Sequence, residues 1–164
     1  MTLDSFKIST FESKFSPMIT PYNDEYFMKQ AYQEAMKAFE MGEVPVGAVI
    51  VANNHIIARA HNLTEQLTDV TAHAEIQAIT AAANSLGGKY LHGCTLFVTL
   101  EPCVMCGGAL YWSQIDRVVF AARDEKRGAG KLGESIYHPK TLISNGIMEN
   151  ECSELMKTFF KSKR

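Results

Sequence analysis

The sequence predicts an α/β protein, a three-layer α/β/α sandwich built around a mixed five-stranded sheet. Segments with helical periodicity alternate with short apolar runs along most of the chain, and two of these runs are separated by only a two-residue turn. A hairpin makes antiparallel neighbours, whereas strands joined through helices become parallel neighbours, so both kinds of pairing are expected in one sheet. With 164 residues, 46% of them hydrophobic and 21% charged, the chain is long enough for one domain with a full core.

Residues 1–22 show no clear period and are predicted to form a loosely held extension, which leaves residues 23–164 for the folded domain. The elements expected within that domain follow from hydrophobic periodicity. In chain order they are a helix over 23–41, strands over 44–51 and 55–60, a helix over 73–86, a strand over 95–100, a helix over 103–113, strands over 117–122 and 142–148, and a helix over 150–160.

Residue types suited to helix ends and turns support these boundaries. Asn23 or Asp24 can cap the first helix, and Gly42 follows its last turn. Asn53-Asn54 separates the first two strands and is typical of a hairpin turn. Gly87-Gly88 ends the second helix. The run over 95–100 is continuously apolar, which indicates a strand covered on both faces of the sheet.

Two short patterns, His73-x-Glu75 and Pro102-Cys103-x-x-Cys106, contain the residue types of a metal site. One imidazole and two thiolates can bind zinc on three sides, which leaves the fourth tetrahedral position for water. Cys103 and Cys106 share a face if they lie on one helix, and Pro102 suits its first turn. A helix start also lowers the pKa of thiols. His73 and Glu75 can both reach beyond the first turn of a second helix, so we predict that two helix N-termini converge on one zinc ion.

The combined pattern matches the known signature of zinc-dependent nucleobase deaminases. In such a site zinc makes hydroxide available near neutral pH, and an unbound carboxylate close to the metal, here Glu75, carries protons. Two other interpretations concern the cysteine pair alone. A structural zinc would normally be closed by a fourth Cys or His, and a thioredoxin-like redox pair would explain neither His73 nor Glu75. Cys94 and Cys152 lack paired spacing and are predicted to be small buried residues.

The net charge of −2 does not by itself indicate a nucleic-acid-binding protein, but the charges are unevenly distributed. Residues 117–164 contain 10 Lys/Arg and 6 Asp/Glu, whereas the preceding residues are acidic in balance. Positive charge gathers in two groups: Arg123, Lys126, Arg127 and Lys131, then Lys157, Lys161, Lys163 and Arg164. These groups are either solvated surfaces or a patch that binds phosphate.

No apolar run approaches the length of a membrane span, and the first residues lack the apolar region of a secretory signal. Four cysteines, two of them assigned to metal, fit a reducing compartment better than a disulfide scaffold. We therefore expect a cytoplasmic protein that has no membrane association.

From about Asp24 to its C-terminus, the chain resembles the bacterial tRNA-specific adenosine deaminases of the cytidine deaminase-like superfamily. The zinc signature marks only the superfamily, whereas longer strings point to the tRNA enzymes. These strings are EVPVGAV at 43–49, TAHAE at 71–75, TLEPCVMC at 99–106, RVVF at 117–120 and ARD at 122–124.

The resemblance implies a cytidine deaminase-like fold in which His73, Cys103 and Cys106 hold zinc and Glu75 shuttles protons. It implies hydrolytic conversion of the wobble adenosine of tRNA to inosine by a homodimer with one zinc per subunit. It also implies roles in substrate binding. Asn62 would contact the flipped base, Val44, Pro45 and Leu100 would line its pocket, and Asp124 with the adjacent Arg123 and Lys126 would contact the anticodon loop.

The segment 127–138 departs from the family's pattern, so the resemblance does not define its RNA contacts. Two rival functions share the same metal ligands. The first is a deaminase of free guanine, cytosine or a nucleoside, which the basic segment after residue 122 disfavours. The second is a zinc-stabilised RNA-binding module without catalysis, which would have no use for Glu75.

Overall fold

The computed structural model describes residues 22–164, which form a layered α/β fold. It contains four helices, five strands and two short 3₁₀ turns in the described part of the chain. In chain order these are α1 Asp24–Glu40, β1 Gly47–Ala52, β2 His55–His61, α2 Ala74–Leu86, β3 Cys94–Leu100, α3 Val104–Ser113, β4 Arg117–Ala122, 3₁₀ turns Ala129–Leu132 and Glu134–Ile136, β5 Leu142–Asn145 and α4 Glu149–Ser162.

The five strands form one mixed sheet in the order β2-β1-β3-β4-β5. β1 pairs antiparallel with both β2 and β3, whereas β3, β4 and β5 are parallel. The predicted mixed five-stranded sheet is therefore confirmed. Because β1 runs opposite to both of its neighbours, β2 and β3 run in the same direction, and their carboxyl ends lie at one edge of the sheet.

Helices cover both faces of the sheet, as predicted for three layers. On one face, the buried side chains of α2 and α3 pack with Ala48, Ile50, Leu96 and Val118. On the other face, α1 and α4 pack with alternate residues of the same strands, including Val49 and Phe97. The alternation places successive strand residues in different cores.

Local backbone geometry explains the residue types at the hairpin turn, at Gly47 and at the start of α1. Asn53 and Asn54 both have positive φ, 49° and 60°, as a two-residue type I′ hairpin requires. Gly47 lies against α1, where an added Cβ would be 2.1 Å from the carbonyl oxygen of Ala31. Helix α1 begins with Asn23, whose Oδ1 accepts a hydrogen bond from the backbone N–H of Tyr26.

Three sequence predictions need correction. The first strand begins at Gly47 and not at Val44, because the N–H of Val46 donates to the carbonyl of Val44 and closes a γ-turn around Pro45. The last strand ends at Asn145 and not at residue 148, since Gly146 has a φ of 101°.

The third correction concerns residues 123–140, whose charged and glycine-containing sequence predicts a surface loop near the site. Ala129 and Tyr137 are buried in the core beneath α3, although charged residues surround them in the sequence. The predicted extension over residues 1–22 lies outside the described residues, apart from Tyr22. Within the described range, no helix combines the length and apolar character needed to cross a membrane.

Candidate metal centre and active site

Two helices begin at the sheet edge where β2 and β3 end, as the predicted metal site requires. His73 immediately precedes α2, and Cys103 immediately precedes α3. Both have extended backbones, with φ of −72°, and neither side chain caps its own helix. The imidazole and the thiol are therefore free to face each other across the gap between the two helix N-termini.

The three predicted ligands converge on one point. The Nδ1 atom of His73 lies 3.7 Å from the Sγ atom of Cys103 and 3.5 Å from the Sγ atom of Cys106. One donor atom from each of the three residues lies within 4.8 Å of the others. A nitrogen and two sulfurs at this spacing fit a single zinc ion, which prefers such donors, and leave room for a fourth ligand.

The two thiols differ strongly in pKa. A hydrogen bond from Cys106 and the neighbouring His73 lower the pKa of Cys103 to about 4, against the opposing effect of burial. The hydrogen bond to Cys103, together with burial, raises the pKa of Cys106. The pKa of His73 is raised because its ring is hydrogen-bonded to the Cys103 sulfur. A bound divalent cation would favour the deprotonated form of both thiols.

Glu75 is buried beside these ligands, in the first turn of α2. Its side chain is 3% exposed, and its Oε2 atom has no hydrogen-bond partner among the described residues. Burial raises the pKa of this carboxyl to about 7, although its own backbone N–H and the charge of His73 act in the opposite direction. A carboxyl that titrates near neutral pH and has a free oxygen can both accept and donate a proton.

Asn62 organises the start of α2. Its Oδ1 atom accepts a hydrogen bond of 2.9 Å from the N–H of Ala74, so it satisfies a helix-start donor that His73 leaves free. The side chain is 5% exposed. The base contact that the resemblance implies remains a prediction.

The predicted pocket-lining residues lie just before β1 and at the end of its neighbour β3. Val44 and Leu100 are half-buried and pack against the same core as α2. Pro45 is buried at the centre of the γ-turn from Val44 to Val46, just before β1. The backbone of this turn is fixed near Asn62, whose N–H donates to the carbonyl of Val46.

The predicted RNA-binding residues lie on the segment after β4, which we call the basic loop (residues 123–131). Arg123 and Lys126 are exposed, and neither forms an ion pair with any described residue. Asp124 is half-buried, and its Oδ1 atom accepts hydrogen bonds of 2.9 Å from the N–H groups of Lys126 and Arg127. In the structure, Asp124 therefore shapes the turn that displays the basic residues.

Sequence reasoning missed two buried carboxylates that hold loops around the site. Glu43 is fully buried and accepts hydrogen bonds from the N–H groups of Glu65 and Gln66. Glu101 is 7% exposed and accepts hydrogen bonds from the basic loop. The only sequence signals were the glycines at 128 and 130, which leave space for Glu101. The buried hydroxyl of Tyr137, unpaired within the described residues, was also missed.

Comparisons with known proteins identify the family of the chain. Residues 21–122 match the cytidine and deoxycytidylate deaminase zinc-binding region. The tRNA-specific adenosine deaminase of Aquifex aeolicus is 50% identical over 144 residues, which cover 85% of this chain and 95% of that protein.

Two solved structures are also similar. One, from studies of A-to-I editing by tRNA:A34 deaminases at the wobble position of transfer RNA, is 41% identical with a TM-score of 0.75 and covers 79% of this chain and 98% of its own. A guanine deaminase from Bacillus subtilis is 40% identical with a TM-score of 0.61 and covers 68% of this chain and 70% of its own. The chain therefore belongs to the cytidine and deoxycytidylate deaminase family and, within it, to the tRNA-specific adenosine deaminases.

Proposed function

We propose that the protein deaminates adenosine to inosine at the wobble position of tRNA by hydrolysis. One observation supports this most directly: in a chain that is 50% identical to a tRNA-specific adenosine deaminase, a His/Cys/Cys donor set lies beside a buried glutamate, one oxygen of which has no hydrogen-bond partner among the described residues. The reaction consumes one water and releases one ammonia for each inosine formed.

His73, Cys103 and Cys106 would hold one zinc ion per subunit. When bound, zinc supplies the Lewis acidity that activates water near neutral pH. Glu75 has the position and pKa to accept a proton from that water and to pass it to a ring nitrogen of the base. A second proton transfer through Glu75 would let the amino group leave as ammonia. The amide group of Asn62 would orient the base, and Val44, Pro45 and Leu100 would enclose it.

The basic loop supports an RNA substrate. Arg123, Lys126, Arg127 and Lys131 are all exposed, and a bridge between Cys103 and Gly128 attaches their loop to a metal ligand. An anticodon loop offers unstacked bases that enter a pocket at small energetic cost, while its phosphates can meet these cations.

Replacing both Lys126 and Arg127 with alanine should weaken stem-loop binding. It should also reduce the slope of log affinity against log salt concentration by roughly one for each residue replaced. A matched control replaces Lys89 and Lys161, which are also exposed but lie at the far end of α2 and on α4. An unchanged salt slope in the basic-loop variant would contradict this placement of the RNA.

A small-molecule deaminase is the second candidate, and the similarity to a guanine deaminase structure favours it specifically. The deciding experiment measures ammonia release by the zinc-loaded protein from an anticodon stem-loop with adenosine at the wobble position. Free guanine, cytosine and adenosine are tested in parallel. The proposal predicts release from the stem-loop, with inosine at one position. Release from free bases alone would overturn it.

We also propose a homodimer formed through the outer surface of α2 and α3. Helix α3 has no charged residue, and Glu75, the only charged residue of α2, is buried. On α3, Trp112 is 76% exposed, with Val104 and Met105 also exposed. By contrast, α1 and α4 each carry several charges. An uncharged surface with large exposed apolar side chains is typical of an interface.

Light scattering coupled to size-exclusion chromatography tests the dimer. Trp112→Glu should shift the protein to the mass of a monomer. The control Phe160→Glu alters an exposed aromatic on α4 and should leave the dimer intact. A monomeric wild-type protein, or a dimer that survives Trp112→Glu, would contradict the proposed interface.

We also propose a cytoplasmic location, because the four cysteines are unpaired, as in reducing compartments.

A further inference from the structure

Glu101 is a buried carboxylate at the end of β3, one residue before the Pro102-Cys103 pair. Its Oε2 atom accepts a hydrogen bond of 3.0 Å from the N–H of Asp124, and its Oε1 atom accepts one of 3.0 Å from the N–H of Gly130. These two donors lie near opposite ends of the basic loop. One side chain therefore fixes both ends of the segment that displays the basic residues.

The loop is shaped to fit this carboxylate closely. A Cβ atom at Gly128 would lie 2.5 Å from the carboxyl carbon of Glu101, and one at Gly130 would lie 2.7 Å from Oε1. Neither glycine has a positive φ, so backbone conformation does not require glycine at these positions. At Gly130 only Glu101 leaves no space for a Cβ, whereas at Gly128 both the Glu101 carboxyl and the carbonyl oxygen of Asp124, at 2.7 Å, exclude one.

The same loop is attached to the metal site by its backbone. The N–H of Ala129 donates a 2.8 Å hydrogen bond to the carbonyl of Pro102, and Gly128 forms a bridge with Cys103. Within residues 22–164, no Lys or Arg forms an ion pair with Glu101, so backbone N–H groups alone satisfy its buried charge. Such an arrangement is costly to break, because either the carboxylate or the amide would lose its partner.

We propose that Glu101 is a positioning residue for RNA, which acts by holding the basic loop in a fixed relation to the metal ligand Cys103. This inference rests on the proposed function, since it assigns the loop to an anticodon stem-loop substrate. Both carboxylate oxygens of Glu101 are bonded to the basic loop, and Glu101 has no part in the proposed proton transfer, so its loss should affect substrate binding far more than the chemical step.

Glu101→Gln is the sharpest test, because a positioning role and a purely electrostatic role predict opposite changes in RNA binding. Glutamine keeps the size but places an NH₂ group against one backbone N–H, which releases that end of the loop. The KM for the stem-loop should rise about ten-fold, the cost of one mismatched buried hydrogen bond. The value of kcat should stay within about two-fold of wild type, and zinc content should be unchanged. If Glu101 acted only through its negative charge near RNA, Glu101→Gln would instead tighten binding.

Gly130→Ala perturbs the same contact from the loop side and guards against misfolding of the first variant. It should raise KM in the same way. The rise in KM of the double variant should be smaller than the product of the two single rises, because both substitutions break the same contact between Glu101 and Gly130. Glu34→Gln is the matched control, since it removes a buried carboxylate of α1 that is bonded to Lys37 and His61 and has no contact with the basic loop. Its KM for the stem-loop should equal that of wild type.

The outcomes separate clearly. A wild-type KM in Glu101→Gln, tighter RNA binding, or a fall in kcat with loss of zinc would each overturn the inference while an active wild type sustains the proposed function. A wild-type protein that does not deaminate the stem-loop would overturn both.

Discussion

Replacing Glu75 with glutamine tests the proton-transfer step with a minimal change in structure. The side chain is 3% exposed, and its Oε2 atom has no partner among the described residues, so an amide of the same size can occupy the space. A neutral amide is also less costly to bury than a carboxylate, so the variant should fold. It cannot, however, accept a proton and return it.

The size of the effect follows from the environment of the carboxyl. General acid–base catalysis contributes roughly 10²- to 10⁴-fold, and it is most effective when the pKa lies near the working pH. Burial raises the pKa of Glu75 to about 7, which meets this condition. We therefore expect kcat to fall about 10³-fold, equivalent to about 4 kcal/mol of transition-state stabilisation.

The assay measures initial rates of inosine formation at saturating stem-loop, with zinc determined on the same samples by elemental analysis. Wild-type zinc content together with the lost rate is expected for Glu75→Gln. The control Glu65→Gln alters an exposed glutamate on the preceding loop and should be fully active. If Glu75→Gln kept more than a tenth of the rate with zinc bound, Glu75 would not be the proton carrier.

Three further substitutions test the site and the fold. Cys106→Ser should reduce bound zinc to a small fraction of one per chain, because a hydroxyl is a poor substitute for a thiolate ligand. Burial alone would raise the pKa of Glu34, but hydrogen bonds from Lys37 and His61 hold it below its ordinary value of 4.5. The ionised carboxylate therefore contributes its full stabilisation above pH 4.5, and this contribution is lost as the pH falls through the lowered pKa. At pH 7, the free energy of unfolding of Glu34→Gln should be about 1 kcal/mol lower than that of wild type. In acid the two values should converge. Gly47→Ala would place a Cβ 2.1 Å from the backbone of α1 and should cost about 3 kcal/mol or more.

Each substitution has a matched control in the same chain. Cys152→Ser changes a buried cysteine remote from the ligands and should retain zinc, whereas full zinc in Cys106→Ser would refute the ligand assignment. Glu154→Gln removes an exposed ion pair and should leave the acid limb of the stability curve unchanged. If Glu34→Gln lowered the free energy of unfolding by the same amount at every pH, the proposed dependence of stability on the ionisation of Glu34 would be contradicted. Gly88→Ala adds a Cβ into open space, so equal stability losses at Gly88 and Gly47 would refute the close-packing argument.

The cluster of His73, Cys103 and Cys106 was predictable because the geometry of each of its two parts is local. His73 and Glu75 are two residues apart, and Cys103 and Cys106 are three apart, so each pair is fixed by one helix start. The apolar run of β3 leads directly to Pro102 and Cys103, so the sequence also predicted that a strand is followed at once by a helix. The mixed sheet followed from the alternation of periodicities and from the Asn53-Asn54 turn.

The features that escaped prediction depend on distant partners. Glu43 and Glu101 resemble surface acids in the sequence, and their burial follows only from N–H groups 22 to 29 residues away. Ala129 and Tyr137 lie in a charged segment whose packing beneath α3 has no periodic signal. The role of Asn62 at the start of α2 likewise requires a partner twelve residues later.

X-ray absorption at the zinc edge of the purified protein tests the central claim most directly, because it counts the ligand atoms. The account predicts two sulfur atoms at about 2.3 Å, one imidazole nitrogen at about 2.0 Å and one oxygen that no side chain of the protein supplies. A first shell closed by a fourth protein sulfur or nitrogen would show a structural zinc and contradict the assignment of a hydrolytic site.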